Sequence, residues 1–561
     1  MKKRWIALVA ILLCLVIASG GSAAYIYARF GSFSYFKTRL AQKLDLPIAQ
    51  TEPGEEVIQT ADGHKVLMDY PKGYSISFPD TMQFDLSNSP EFIKFYNDDM
   101  TAIVTREWAP YDDVMWYIEN YLNNYILNDR YIEMNHIDIH QNETFDLNGA
   151  QARLISLTRR PEQQAVERQN SYTYFYVLSQ TGKQAFFRVM FKSRDYEASR
   201  PIIEEVIRSF AEIPFKGVNQ FKSDYQFVQP KWNTETQALY DSIVDSDQVK
   251  WGLFVDGAYN DDKRYGWLSD IEKKVEHTFD FSLHYVNLTP DFPIEKLQRM
   301  YDFGKFTELT LQISYHANDD LFGLNPNFAV YDGLEDETIR SFARGAKEFG
   351  HPFLFRLNNE MNSDWVNYSG VAALSDPEIF VENWRRIYDI FQEEGVDNAI
   401  WVFNPNAEDC PPCHWNTQYA YFPGDAYVHM IGMTGYNTGT YYAEFHEKWR
   451  TFDEIYREPY DRYMQHYAHY PFIITEFSCS SIGGDKPAWM TDMFQRIQEY
   501  PNIKLALWWS SADYDMRDKN YKTLARPYFL DETDQTTAAF RDGMKAYLEQ
   551  TGGKKRRLFG K

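Results

Sequence analysis

The feature that most limits the fold lies in the second half of the chain. Eight short apolar runs recur between about residues 250 and 511: KWGLFVDG (250–257), FDFSLHYVN (279–287), LTLQISYH (309–316), PFLFRLNNE (352–360), AIWVFNPN (399–406), VHMIGMTGYN (428–437), PFIITEFS (471–478) and IKLALWWSS (503–511). Amphipathic helical patterns separate most of them, such as DETIRSFARGAKEFG (336–350), DPEIFVENWRRIYDIFQEEG (376–395) and KPAWMTDMFQRIQEY (486–500). Uninterrupted apolar strands suit a parallel sheet covered on both faces. Eight of them alternating with helices is the count of a (β/α)8 barrel, a TIM barrel, over 248–550.

The first half has a different rhythm. Between 56 and 215, runs such as YSISFPD (74–80), TAIVTREW (101–108), SYTYFYVLS (171–179) and QAFFRVMFK (184–192) read as antiparallel strands. Helical patterns at 112–127 and 199–213 join them. This predicts a smaller α+β domain, loosely resembling the PsbP/Mog1-like sandwich, without a catalytic grouping and with no assigned role. Residues 31–55 read as a linker and 216–247 as a connector with a short helix at 233–245.

The N-terminus places Lys2, Lys3 and Arg4 before an uncharged stretch from Trp5 to Ala28. A basic flank and an apolar segment mark residues 1–30 as a signal peptide or a membrane anchor. Both place the body outside the cytoplasm, anchored to the cell membrane or secreted. The net charge of −23 repels phosphate backbones, so nucleic acid is not an expected partner. The basic tail at 551–561 is too short to reverse that. Four cysteines in 561 residues do not make a disulfide-built scaffold. Cys410 and Cys413, in CPPCH with His414, read as a local disulfide or loop brace, with haem and metal as the other readings.

In a parallel barrel the site lies at the C-terminal strand ends. The fourth strand ends in Asn358, Asn359 and Glu360, and the seventh in Thr475, Glu476 and Phe477. Either Glu alone could be a rim residue in an ion pair. Two carboxylates meeting at one cleft suit glycoside hydrolysis: one protonates the leaving oxygen, the other attacks or activates water. Trp365, Tyr436, His316 and Trp508 add aromatic and polar groups suited to sugar faces and hydroxyls. Trp508 and Trp509 cannot both face inward, because side chains alternate along a strand; Trp508 is expected to face the cleft.

RLNNEMNSDW (356–365) resembles the acid/base segment of glycoside hydrolase family 26, which often reads R-x-x-H-E-M-N-G followed by Trp. ITEFS (474–478) resembles its nucleophile segment. The resemblance covers about 250–545. It implies a (β/α)8 barrel, a retaining mechanism and no metal or organic cofactor. It also implies Glu360 as proton donor and base and Glu476 as nucleophile. Asn359, Trp365, Tyr436 and Trp508 would then bind the polysaccharide substrate. Three departures bear on the substrate: Asn359 replaces the usual His, Ser363 the usual Gly, and GMTGYN lacks an Asp often found there. The family acts mostly on β-1,4-mannan, with some members on mixed-linkage β-glucan or β-1,3-xylan. Two other functions fit the same residues: trimming or transglycosylation of the cell's own exopolysaccharide, and non-catalytic glycan binding at the cell surface.

Overall fold

The computed structural model describes residues 55–59, 63–85, 91–161, 168–217, 225–314 and 321–551. The segment 1–30, nearly all of the 31–55 linker, Tyr315, His316 and nearly all of the basic tail lie outside the described residues. Among the described residues, no helix is long and apolar enough to cross a membrane.

The chain divides into two compact units. One holds residues up to Met82 together with Ile202–Gln220. Its antiparallel sheet runs Glu55–Gln59, His64–Asp69, Tyr74–Pro79 and Ala211–Glu212 in that order. Tyr74, Ile76 and Phe78 alternate inward along the third strand, and the Tyr74 ring stacks on Phe210 at 6.1 Å.

The other unit contains Gln83–Pro201 and the chain from Phe221 onward. Its first part is a seven-stranded antiparallel sheet, ordered Gln83–Asp85, Phe92–Tyr96, Met100–Trp108, Ala185–Ser193, Ser171–Leu178, Ala150–Arg159, Ile137–Leu147. The stretch 56–215, expected as one domain, thus supplies two sheets. The long helix expected at 112–127 is instead a short turn, Val114–Tyr117, running into a wide turn, Ile118–Leu122. Asn123 ends it by sending both its backbone N–H and its side-chain amide to the Ile118 carbonyl, at 3.0 and 2.9 Å.

The second part is a closed parallel barrel. Its strands are β1 (Lys250–Val255), β2 (Phe281–Asn287), β3 (Phe306–Gln312), β4 (Phe353–Leu357), β5 (Ala399–Phe403), β6 (Met430–Asn437), β7 (Phe472–Cys479) and β8 (Ile503–Ser510). Alternation sorts each strand into two layers. Phe281, Leu354, Ile400, Met430, Ile473 and Leu505 fill the lower interior. Phe353, Phe355, Trp401, Phe477 and Trp508 pack outward in the cluster that includes the surrounding helices. The helix Thr234–Val244 closes the N-terminal end through Leu239, Tyr240 and Ile243. With the floor sealed by apolar side chains, the polar interior is confined to the C-terminal end.

The seven-stranded sheet and the barrel share one apolar core. It joins Tyr131, Tyr172, Tyr174, Phe186 and Met190 of the sheet to Phe328, Val371–Leu374, Ile379 and Trp415 of the barrel. Polar groups on the same face bond to the main chain after Glu360. Tyr131 donates to the Ala372 carbonyl and Tyr174 to that of Leu374, each at 2.5 Å, and Arg188 to that of Ser375 at 2.9 Å. Lys192 pairs with Asp376 at 2.7 Å, and both are buried.

Candidate active site

The upper barrel interior is organised by one cation. Arg356, on β4, is fully buried. Its Nε donates to Thr310 Oγ1 at 2.7 Å and its Nη1 to Asn404 Oδ1 at 2.8 Å. The same guanidinium pairs with Glu308 on β3 at 3.0 Å and with Glu476 on β7 at 2.7 Å. An isolated buried charge is costly, and here three ionisable groups share the cost. Burial, helped by the Glu476 charge and opposed by Arg356, pushes the Glu308 carboxyl up to about 8. Neither Glu308 oxygen receives an aligned hydrogen bond. Glu308 is thus the carboxyl held toward its neutral form, and Glu476 is the closer of the two to the guanidinium. Gly432 on β6 makes room for this cluster, because a Cβ there would lie 2.9 Å from both Asn404 and Thr475.

Glu476 also accepts a 2.7 Å hydrogen bond from the Tyr436 hydroxyl on β6. Tyr285 of β2 lies alongside, its hydroxyl pKa raised by burial and by Glu476. The nucleophile candidate is therefore gripped by a cation from β4 and by a phenol from its neighbouring strand β6.

Glu360 stands three residues past the end of β4, beyond the strand that was expected to reach it. Its φ is 58° and that of Asn358 is 47°, left-handed conformations that cost non-glycine residues energy. Local bonds hold the turn. Asn358 Oδ1 accepts from the Ile313 amide at 2.8 Å, and the Glu360 amide donates to the Asn404 carbonyl at 2.9 Å. Asn406 donates to Glu360 Oε1 at 2.6 Å, and the Trp365 indole N–H lies 3.4 Å from Oε2. Burial first, and the Glu476 charge second, push the Glu360 carboxyl up to about 7. The two carboxyls of one mouth thus occupy unlike settings, one beside a cation and the other desolvated.

The Asn359 carbonyl oxygen accepts from both Gln312 and Tyr368 at 3.0 Å. This orientation leaves its amide NH2 as the donor for a ligand. Trp365 is 45% exposed at the rim.

The structure gathers Glu360, Glu476, Asn359, Trp365 and Tyr436, while His316 lies outside the described residues. Trp508 is a correction. It faces away from the cleft, fully buried against Phe477, Trp489 and Phe540. Register explains this: Trp508 is in phase with Ala506 of the outer cluster, and Trp509 with Leu505 and Leu507 of the interior. Trp509 stacks on Phe254 at 5.3 Å, meets Tyr436 edge-on at 6.1 Å and has no partner for its indole N–H. The reading of Cys410 and Cys413 as a disulfide also changes, because both thiols are free. Their sulfurs lie 3.9 and 3.7 Å from the Tyr121 and Tyr117 hydroxyls. Sequence reasoning assigned no role to Glu308, Arg356, Asn404 or Asn406. The usable signal was charge inside apolar strands, Glu308 in TELTLQ and Arg356 in FLFRL. Among the described residues, no group of three or more His, Cys, Asp or Glu is placed to hold a metal ion.

Residues 333–457, which include Glu360, match the model of Glycosyl hydrolase family 26. The chain is glycosyl hydrolase family 26-like. It is 29% identical over 223 residues to Endoglucanase H of Acetivibrio thermocellus, covering 39% of this chain and 23% of that protein. It is also 29% identical over 101 residues to a Mannan endo-1,4-beta-mannosidase of Bacillus subtilis, covering 17% and 26% respectively. The chain therefore spans about a quarter of the length of these curated relatives. The structure is similar to a family 26 β-mannanase from Bacteroides ovatus, at 16% identity and a TM-score of 0.42, covering 56% of this chain and 94% of that one.

Proposed function

We propose that this family 26-like protein is a retaining endo-β-glycanase that hydrolyses β-1,4-mannan or a related β-glucan by double displacement. One observation carries the reading: two carboxyls share the barrel mouth, with Glu476 beside Arg356 and Glu360 raised to about 7. Glu476 attacks the anomeric carbon while Glu360 passes its proton to the departing glycosidic oxygen. The resulting glycosyl ester is opened by a water that Glu360, now ionised, deprotonates. Asn359 donates to a hydroxyl of the sugar at the scissile bond, Tyr436 orients Glu476, Trp365 walls the cleft and Trp509 floors it. The two relatives, an endoglucanase and a mannan endo-1,4-beta-mannosidase, support a β-glycan as the substrate class. The basic-apolar N-terminus supports an extracytoplasmic site of action, tethered or secreted.

The test uses the full chain against galactomannan, mixed-linkage β-glucan and xylan. Glu476→Gln abolishes hydrolysis, and proton NMR of the wild-type reaction shows the β-anomer forming first. Full activity of pure Glu476→Gln protein, or an α-anomer as first product, sinks the assignment.

A further inference from the structure

The sheet unit leaves several large aromatic side chains in solvent within one short segment. Trp108 is 52% exposed, and Tyr111 and Trp116 are 49% exposed. Isolated exposed aromatics are common, but these connect to the barrel mouth. The Tyr111 ring lies 5.4 Å from Trp116 and 5.8 Å from Tyr117. Tyr117 stacks on Tyr121 at 5.3 Å, and the Tyr121 hydroxyl donates to Asp364. Asp364 immediately precedes Trp365, whose indole N–H points to Glu360. The aromatic path therefore begins on the sheet and ends beside the candidate acid.

The path is also held rigid. Asp113 caps the short turn by accepting from the Trp116 amide at 2.9 Å. Buried Tyr117 and half-buried Tyr121 fix the base on which the exposed rings stand. Fixed, amphipathic rings suit a ligand that is apolar on its faces and polar at its edges. Pyranose units have that form, and the acidic body disfavours a polyanionic chain.

We propose that Tyr111 and Trp116 form a distal binding platform for further sugar units of the same polysaccharide chain that enters the cleft at Trp365. The proposal rests on the glycanase reading above. It assigns the seven-stranded sheet a part in substrate recognition, with long neutral β-glycans preferred over short oligosaccharides.

The test compares the full chain with its Y111A/W116A variant, in which both replaced side chains are exposed. kcat/KM is measured on long galactomannan or mixed-linkage β-glucan and on the corresponding tetrasaccharide. Stacking energies predict a loss of roughly tenfold on the polymer and little change on the tetrasaccharide. Equal rates on the polymer, or equal losses on both substrates, overturn the platform. Migration in native gels containing each polymer decides independently of catalysis. Retardation of the wild-type chain that weakens in Y111A/W116A supports the platform; retardation unchanged, or absent for both proteins, overturns it. A wild-type chain that hydrolyses nothing would instead remove the glycanase reading, while the gel comparison still decides the platform.

Discussion

Replacing Asn406 with Ala tests the electrostatics of the mouth through the hydrogen bond to Glu360, and it also removes the local turn bond that Asn406 Oδ1 accepts from the Glu408 amide at 2.9 Å. Asn406 Nδ2 donates to Glu360 Oε1 at 2.6 Å, an interaction that favours the ionised carboxyl and holds its pKa down against burial and Glu476. The variant keeps the main-chain bonds of residue 406, in which its amide donates to Asn362 Oδ1 at 2.7 Å and its carbonyl accepts from Asn362 Nδ2 at 3.1 Å. A hydrogen bond to a charged group contributes roughly 1.5–3 kcal/mol, and one pKa unit corresponds to about 1.4 kcal/mol. Glu360 retains the Trp365 N–H and some contact with solvent, so the lower end of that range applies. Losing the donor disfavours the anion, and the pKa of Glu360 rises from about 7 by about one unit. In the proposed mechanism Glu360 must be protonated to act, so the alkaline limb of kcat/KM moves upward by the same amount. The assay is a pH profile of kcat/KM for wild type and Asn406→Ala on one soluble substrate. An alkaline limb that stays in place or moves to lower pH would show that Asn406 does not hold the Glu360 pKa down.

Three other substitutions probe the barrel around the mouth. Glu308 carries a raised native pKa, from 4.5 to about 8, so the folded protein holds a proton that the unfolded chain releases above about 4.5. Stability therefore falls as pH rises between those values and levels off above them. Glu308→Gln cannot ionise and should gain roughly 3–5 kcal/mol on wild type across that window; parallel denaturant midpoints from pH 4.5 to 9 would contradict this. Trp508→Ala should cost about 3–5 kcal/mol of stability through a cavity in the outer layer. Trp509→Ala should instead lower kcat/KM with a smaller change in melting temperature, and the reverse pattern would restore Trp508 to the cleft.

Much of the barrel was legible because its strands are apolar throughout and its helices amphipathic. Glu360 and Glu476 stood out because a carboxylate that ends an apolar strand needs a partner once buried, and the structure brings both to one mouth. The phase of the WW pair was not. Apart from Lys504 at its start, IKLALWWS is apolar on both faces, so alternation near the pair gives no sign of which Trp points inward. Charged residues fix phase better. Arg356 faces the interior with Leu354, and that parity leaves Phe353, Phe355 and Leu357 outside. The sharing of one core between the sheet and the barrel could not be read at all. The Tyr131, Tyr174 and Arg188 side chains bond to main-chain carbonyls nearly 190 residues or more away, and a carbonyl has the same signature at every position.

That shared core makes the chain indivisible where its sequence invites a cut. An isolated barrel beginning at residue 216 would bare Val371–Leu374, Ile379 and Trp415, and strip the hydrogen-bond donors from the loop after Glu360. A transplanted barrel would therefore inherit Glu360 without its scaffolding. Recombination that shuffles catalytic barrels between accessory modules could not freely exchange this one, so sheet and barrel are expected to descend together as a single heritable unit.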